Sequence, residues 1–150
     1  MRIVIQRVKC CSVAVEGNTI GEIEKGLAIL LGIEAADTQE DIDWLCGKIS
    51  RLRIFDDENG VMNLDINQAG GRAIVISQFT LFASTKKGNR PSYIRSAGEA
   101  VARPMYEKFL ATLSATLGAD VEHGEFGADM QVSLVNDGPV TICIDSKNRE

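Results

Sequence analysis

A polar set interrupts the otherwise apolar segment 73–82, at residues 77–80. If the segment is a strand, alternation sends the hydroxyl of Ser77 to one face and the side chains of Gln78 and Thr80 to the other. Hydroxyl and amide groups that are buried without partners cost roughly 1–3 kcal/mol each. These side chains therefore either bond to the backbone of the core or line a binding site, and the segment alone leaves both interpretations open.

A second candidate segment, residues 136–141, reads Asn-Asp-Gly-Pro-Val-Thr. Pro139 removes one backbone donor and leaves the neighbouring carbonyls free, and an X-Pro bond adopts the cis form at modest cost. A cis bond would turn two carbonyl oxygens in the same direction and so create a rigid wall without side chains. An ordinary hairpin turn is the alternative interpretation.

Conventional catalytic groups are scarce in this chain. The only histidine is His123, and we expect it to be a structural or surface residue because the sequence specifies no partner for it. No Cys or His spacing is typical of a zinc site, and neither G-x-G-x-x-G nor a P-loop is present. We therefore predict no metal and no cofactor, and an enzyme with this sequence would use few titratable side chains.

The charge is unevenly distributed along the chain. The net charge is -5, yet residues 84–103 contain five basic residues and one acidic residue, a local charge of +4. Such polarisation can steer an anionic ligand to one face of an acidic protein. A solvated loop is the alternative.

Length and composition indicate an ordinary globular chain. With 150 residues, 45% hydrophobic and 25% charged, it is expected to form one domain over residues 1–150. No apolar run approaches the roughly 20 residues of a membrane span, and charge appears too early for a signal peptide. The four cysteines include no C-x-x-C pair, which indicates a cytosolic protein with reduced, mostly buried thiols.

The elements that must position these residues follow from periodicity and turn signals. A first helix is predicted from Asp37, as N-cap of a capping box with Glu40, to Leu52, and a second from Ala97 to Leu117. Residues 86–91 are predicted to be a basic loop. Strands are expected at residues 2–8, 12–15, 19–23, 27–33, 73–82, 130–135 and 140–145. This uneven order predicts an α/β protein in which two main helices pack on mixed, layered sheets, and not a doubly wound fold.

The two candidate segments together resemble the signature motifs of the D-aminoacyl-tRNA deacylases, also called D-tyrosyl-tRNA deacylases. The likeness spans essentially the whole chain and implies that family's fold. The motifs that carry it are Ser77-Gln78-Phe79-Thr80-Leu81, Asn136-Asp137-Gly138-Pro139-Val140-Thr141, the opening Met1-Arg2-x-Val4-x-Gln6-Arg7-Val8, Lys87-Gly88-Asn89-Arg90-Pro91-Ser92 and Phe126-Gly127-Ala128-x-Met130.

This resemblance implies a homodimeric cytosolic enzyme that hydrolyses the ester joining a D-amino acid to the terminal adenosine of tRNA, and that also removes glycine. Ser77, Gln78, Phe79 and Thr80 would line the pocket for the adenosine and the ester. The backbone N–H groups near Phe79 and Thr80 would act as oxyanion donors. The resemblance implies that the 2′-hydroxyl of the terminal ribose assists the reaction, while a covalent role of Thr80 is the alternative.

The same resemblance assigns Gly138-Pro139 to a Gly-cisPro element that enters the pocket of the other subunit. Its carbonyl oxygens would clash with an L side chain and leave room for the hydrogen of a D residue or of glycine, so that selection is by exclusion. Arg7 would help to orient this element. Substrate-binding roles are further implied for Asn136, Phe126 and Met130.

The basic stretch gains a role from the resemblance, because phosphate contacts position a nucleic acid without reading its sequence. The residues expected to contact the acceptor stem are Lys86, Lys87, Arg90 and Arg95. Two alternatives remain at this stage: a dimeric RNA-binding module without catalysis, and a general ester or thioester hydrolase that uses Thr80 or a cysteine.

Overall fold

The strand β1 (Arg2–Val15) is the centre of the sheet in the computed structural model, which describes all 150 residues. Along one edge it pairs antiparallel with β8 (Met130–Asp145). Along the other edge, its first half pairs antiparallel with β3 (Gly26–Gly32) and its second half with β2 (Asn18–Ile23). β1 therefore holds three strands in register, and both ends of β8 depend on it.

The sheet curls almost into a barrel. Beyond β3 it continues in parallel with β6 (Arg72–Ser77) and then β7 (Glu122–His123). β7 comes back against β2, where a Cβ on Gly21 would lie only 2.7 Å from the backbone oxygen of His123. Because only glycine fits this approach, the sequence permits the curl at this point. A separate two-stranded ribbon consists of β4 (Phe55–Asp56) and β5 (Met62–Leu64).

Two helices cover one face of the sheet. α1 (Gln39–Arg51) and α2 (Glu99–Leu117) pack against each other, and their apolar faces join the larger core cluster with the first half of β1. α2 ends, as predicted, at Leu117, and Gly118 directly after it caps the helix in a left-handed conformation with φ of 67°. Neither helix has the length and apolarity that crossing a membrane requires.

The expected fold class is confirmed, but the predicted breaks in two long strands are wrong. Residues 2–8 and 12–15 belong to one strand, and a bulge between Val8 and Cys10 changes which face is buried. The segments 130–135 and 140–145 are likewise one strand with an internal protrusion. In the sequence, a bulge or a protrusion within a strand looks like a turn between two strands, because both interrupt the alternation of apolar residues.

The polar segment is not a strand throughout. β6 ends at Ser77, and residues Phe79–Phe82 form a 3₁₀ turn, so the predicted strand over 73–82 is too long and its alternation does not hold beyond Ser77.

Of the four thiols only Cys11 and Cys46 are buried, whereas Cys10 and Cys143 are exposed. The expectation of mostly buried thiols was therefore only half right.

The start of α1 differs from the predicted capping box. Thr38 is the N-cap, and its backbone N–H donates to the Asp41 carboxylate at 2.8 Å. The carboxylate of Asp37 instead binds the Met1 amino group and accepts from the Glu34 N–H at 2.8 Å. The predicted pair was wrong because Asp37 is already engaged by the start of the chain.

Asp41 anchors the C-terminal end of β8 to α1. Its carboxylate accepts hydrogen bonds from Ser146 Oγ and Lys147 Nζ, both at 2.7 Å. Burial raises the pKa of Asp41, but the hydrogen bonds from Lys147, Ser146 and Thr38 outweigh burial and hold the pKa well below its usual range. The folded protein therefore favours the ionised form.

We expect Asp41→Asn to lower the free energy of unfolding at neutral pH by about 2–3 kcal/mol, because a buried charged acceptor is lost. A carboxyl with a lowered folded pKa stabilises the fold above its unfolded pKa of about 3.9, and this contribution disappears as the pH falls further. In urea titrations, the gap between the wild-type chain and the variant should therefore shrink between about pH 5 and pH 2. Asp43→Asn, on the exposed side of α1, is the control, and a gap no larger than the control's would contradict this role.

Candidate functional site

A pocket of about 290 Å³ opens at the end of β6, between the 3₁₀ turn, the start of α2 and the segment before β8. Ser77, Gln78 and Phe79 lie on one side of it, and Phe126 and Met130 lie on the other. The remaining lining residues are Leu31, Ile33, Ile76, Ser96, Ala97, Ala102, Gly127, Ala128 and Val132. No side chain that lines the pocket is titratable.

The turn after β6 leaves two backbone donors without a partner. The N–H of Gln78 makes the last ladder bond, to the oxygen of Leu31 at 2.7 Å, and the N–H of Leu81 closes the turn onto Gln78. In a 3₁₀ turn the first N–H groups have no partner within the turn, and here these belong to Phe79 and Thr80. The sequence therefore produces two adjacent free donors next to the pocket.

Thr80 has an amide partner and no base. The Gln78 side-chain amide donates to Thr80 Oγ1 at 2.5 Å, and Thr80 itself does not line the pocket. His123 is exposed on β7, and its Nδ1 lies 2.7 Å from the Gly124 oxygen, which agrees with the expectation of a surface histidine. Nothing near Thr80 Oγ1 is thus arranged to remove its proton.

Two aromatic residues, Phe79 and Phe126, line the pocket from opposite sides. Phe79 is 55% exposed and meets the ring of Tyr93 edge to face, with the centroids 5.0 Å apart. On the opposite side, the Phe126 ring packs on buried Tyr106 with the centroids 5.6 Å apart. The Tyr106 hydroxyl donates to the Val75 oxygen at 2.9 Å, and burial raises the pKa of Tyr106, so that it remains a neutral support.

The second candidate segment protrudes from β8. Asn136 is opposite Val8 and Thr141 is opposite Gln6, so residues 137–140 have no place in the ladder. The Asn136 side chain closes the base of this protrusion, because its Oδ1 accepts from the Val140 N–H at 3.0 Å and its Nδ2 donates to Thr141 at 2.9 Å.

At the tip of the protrusion, Gly138 and Pro139 are exposed, and the peptide bond between them is cis. A Cβ on Gly138 would lie 2.8 Å from Cγ2 of Val140 and 3.2 Å from Nη2 of Arg7, and the φ of this residue is +133°. Position 138 therefore requires glycine for both conformation and space.

Arg7 fixes the protrusion from below. Its guanidinium is buried and donates from Nε to the Asp137 oxygen at 3.0 Å and from Nη1 to the Ile54 oxygen at 2.7 Å. Nη1 also lies 3.2 Å from a carboxylate oxygen of Asp56. A buried charge needs such partners, so Arg7 joins the protrusion to β1 and to the β4 ribbon.

The pocket and substrate-binding residues predicted from the sequence therefore fall into two groups, and Thr80, which was predicted to line the pocket, belongs to neither. The pocket group contains Ser77, Gln78, Phe79, Phe126 and Met130. The protrusion group does not line the pocket of the same chain, and its members are Arg7, Asn136, Gly138 and Pro139.

The basic loop is a closed structure beside the pocket. Ser84 and Ser92 exchange two backbone hydrogen bonds, of 2.8 and 2.9 Å, at its base. Three of the predicted phosphate-contacting residues are exposed and form no ion pair, namely Lys86, Lys87 and Arg90. Arg95 differs, because its guanidinium lies 3.3 Å from the Glu34 carboxylate and above the Phe82 ring.

Several contacts were missed by the sequence analysis. Tyr93 and Ser96 come from the far side of the basic loop, and Ser96 Oγ donates to the Phe79 oxygen at 3.4 Å. Ile54 and Asp56 supply partners of Arg7, and no feature of the sequence connected them with this residue. Aromatic and hydroxyl residues directly after the Arg-Pro turn were the only available signal for the first pair.

Comparison with solved structures defines the class of the fold. A chain titled "c-Myc DNA Unwinding Element Binding Protein" superposes with a TM-score of 0.90 at 38% identity, covering 97% of this chain and 98% of that one. A probable eukaryotic D-amino acid tRNA deacylase superposes with a TM-score of 0.84 at 14% identity, over 95% of this chain and 97% of that one, which establishes the fold alone. The architecture is thus that of a mixed α/β protein of the deacylase fold.

The family follows from sequence comparison. The family model described as D-Tyr-tRNA(Tyr) deacylase matches residues 4–145. A D-aminoacyl-tRNA deacylase of Bacteroides fragilis is 62% identical over 150 residues and covers all of both chains. The chain belongs to the D-Tyr-tRNA(Tyr) deacylase family, whose members are ester hydrolases, and the resemblance noted in the sequence is confirmed.

Arg7→Lys should loosen the protrusion and leave the pocket unchanged. Lysine is a point charge and cannot reach three acceptors as the guanidinium does. We expect amide hydrogen exchange over residues 136–141 to accelerate roughly tenfold or more, with residues 77–82 unchanged. Lys9→Ala is the control, because Lys9 is 70% exposed and its Nζ makes only a long contact, of 4.0 Å, with the Asp137 carboxylate. Equal exchange in both variants would show that Arg7 does not fix the protrusion.

Proposed function

We propose that this chain hydrolyses the ester between a D-amino acid and the terminal adenosine of tRNA, in the cytosol. Water adds to the ester carbonyl, the bond to the ribose oxygen breaks, and the products are free tRNA and the D-amino acid. The observation that carries this proposal is a pocket with adjacent free backbone donors and no titratable side chain. Such a pocket suits a reaction in which the protein positions the substrate and stabilises charge.

The N–H groups of Phe79 and Thr80 would stabilise the oxyanion that forms on the ester carbonyl. Preorganised backbone donors need no reorganisation during the reaction, and the loss of one such donor typically costs about 10²–10³ in rate. Gly32 supports this arrangement, because a Cβ there would lie 3.0 Å from Cβ of Leu81 and 3.1 Å from the Gln78 oxygen. The close packing of the turn on β3 holds the donors in place.

Proton transfer would come from the substrate. The 2′-hydroxyl of the terminal ribose is next to the scissile ester, and no side chain of the pocket offers a base. Thr80 is a poor candidate for a covalent nucleophile, because its hydroxyl is bound to the Gln78 amide and an unactivated hydroxyl reacts slowly.

Chirality would be selected by the protrusion of a second copy of this chain. Gly138 and Pro139 are exposed, present backbone in place of long side chains, and are fixed by Arg7 and Asn136. When these residues lie in the partner's pocket, their carbonyl oxygens would clash with an L side chain and would leave room for the hydrogen of a D residue. Glycine has hydrogen at both positions, so glycyl-tRNA would also be a substrate.

The basic loop would contact the phosphates of the acceptor stem. Lys86, Lys87 and Arg90 are exposed and form no ion pair within the chain, so their charge is available to an anionic ligand. Arg95 would contribute less, since Glu34 already neutralises it. Such contacts hold the substrate without reading its sequence.

A binding module without catalysis is the second candidate. The solved relative at 38% identity is titled for DNA binding, and the basic loop is compatible with nucleic-acid binding alone. A general ester hydrolase is a third possibility, and it would cleave simple amino acid esters that lack the ribose.

We expect purified protein to release the amino acid from D-Tyr-tRNA and Gly-tRNA and to spare L-Tyr-tRNA by roughly a hundredfold or more, because a steric clash raises the transition state for L. The measurement is the rate of deacylation of the three substrates under one set of conditions, with tyrosine ethyl ester as the control. Equal cleavage of D and L would remove the filter, cleavage of the ethyl ester would indicate a general hydrolase, and no cleavage would favour the binding module.

Thr80→Ala should retain activity within about tenfold, because the backbone donors remain and only the Gln78 amide loses an acceptor. Thr85→Ala, in the exposed basic loop, is the matched control. Replacing the terminal adenosine of the substrate with 2′-deoxyadenosine should slow the wild-type enzyme far more than Thr80→Ala slows hydrolysis of the ordinary substrate. Loss of more than about a thousandfold in Thr80→Ala, with unchanged tRNA binding, would instead indicate a covalent nucleophile.

A further inference from the structure

An exposed apolar patch separates the pocket from the basic loop. Ile94 is 89% exposed, Tyr93 is 39% exposed, and the Tyr93 ring contacts Phe79 at the rim of the pocket. Apolar side chains exposed to this degree and grouped at a functional site usually contact a ligand. The proposed roles of the pocket and of the basic loop leave this patch without a function.

The backbone gives the patch a fixed position. Tyr93 directly follows the Ser84–Ser92 pair that closes the basic loop, and its oxygen accepts from the Ser96 N–H at 2.9 Å. Ser96 in turn donates through its hydroxyl to the Phe79 oxygen. Phe79, Tyr93 and the Ser84–Ser92 pair are thus connected in that order, and the three basic residues that form no ion pair lie beyond the Ser84–Ser92 pair.

We propose that Tyr93 and Ile94 bind the unpaired nucleotides that precede the terminal adenosine of the tRNA. The inference rests on the proposed function, because that function places the adenosine in the pocket and the phosphates of the stem at the basic loop. The single-stranded 3′ end of the tRNA, which joins the adenosine in the pocket to the stem at the basic loop, must cross the patch. An exposed aromatic ring beside free cations is the arrangement by which proteins hold single-stranded nucleic acid without sequence preference.

The test compares two substrates that share the ester. D-Tyr-tRNA would contact the patch, whereas D-tyrosyl-adenosine ends at the pocket. Loss of stacking on one base typically reduces binding roughly 5- to 100-fold. Tyr93→Ala should reduce kcat/KM for D-Tyr-tRNA by that factor and leave D-tyrosyl-adenosine unchanged, while Tyr93→Phe should retain wild-type rates on both. Ile94→Ser, at a position too exposed to affect folding, should show the same pattern with a smaller factor.

Salt dependence distinguishes the patch from the basic loop. A Lys86→Ala/Lys87→Ala variant should lower the slope of log kcat/KM against log salt, because fewer counterions are released. Tyr93→Ala should keep the wild-type slope. Equal losses on both substrates would show that Tyr93 only supports Phe79, and no loss on tRNA from either Tyr93→Ala or Ile94→Ser would show that the patch does not bind the strand. Either of these two results would overturn the inference.

A binding measurement keeps the inference separate from catalysis. Wild-type protein should bind uncharged tRNA more tightly than the same tRNA without its unpaired 3′ nucleotides, and Tyr93→Ala should abolish that difference. If the wild-type chain leaves D-Tyr-tRNA intact while this difference is present, the proposed hydrolysis fails and the patch remains. If hydrolysis is present and the difference is absent, the patch fails alone.

Discussion

The buried guanidinium of Arg7 is the contact on which the arrangement of the site depends. It extends from the central strand, and its charge is compensated by the backbone oxygens of Ile54 and Asp137 and by the Asp56 carboxylate. Loss of either backbone acceptor would leave part of a buried charge unsatisfied, which costs several kcal/mol. A surface protrusion of four residues is therefore anchored to the central strand and to the β4 ribbon.

The pocket follows a different principle. Its polar groups come from the backbone and from neutral side chains, and its position follows from the end of a parallel strand that continues into a 3₁₀ turn. Chemistry without titratable side chains requires that the donors and the walls be accurately placed. The close approach at Gly32 and the packing of Phe126 on Tyr106 provide that placement.

Much of this organisation could be predicted from the sequence, for identifiable reasons. The two helices have long periodic faces, and Gly118 marks the end of the second, so these elements were found nearly at their bounds. The motif residues were identified because their types are unusual in apolar strands. The bulge near Lys9, the binding of Asp37 to the Met1 amino group and the contacts of Arg7 depend on residues distant in sequence, and no local pattern encodes them. Tyr93 was missed for the same reason, since its partner Phe79 is across the basic loop.

We propose that one chain supplies the pocket and a second chain supplies the protrusion. It can be tested with mixed dimers of two tagged variants. Ala128→Trp, at a partly exposed lining position, would block the pocket and keep the protrusion, whereas Gly138→Ala would displace the protrusion and keep the pocket. The measurement is the ratio of D-Tyr-tRNA to L-Tyr-tRNA cleavage. We expect Gly138→Ala alone to have a low ratio and the mixed dimer to recover the wild-type ratio, because its open pocket receives the intact protrusion. A ratio unchanged by the partner would contradict a site shared between two chains.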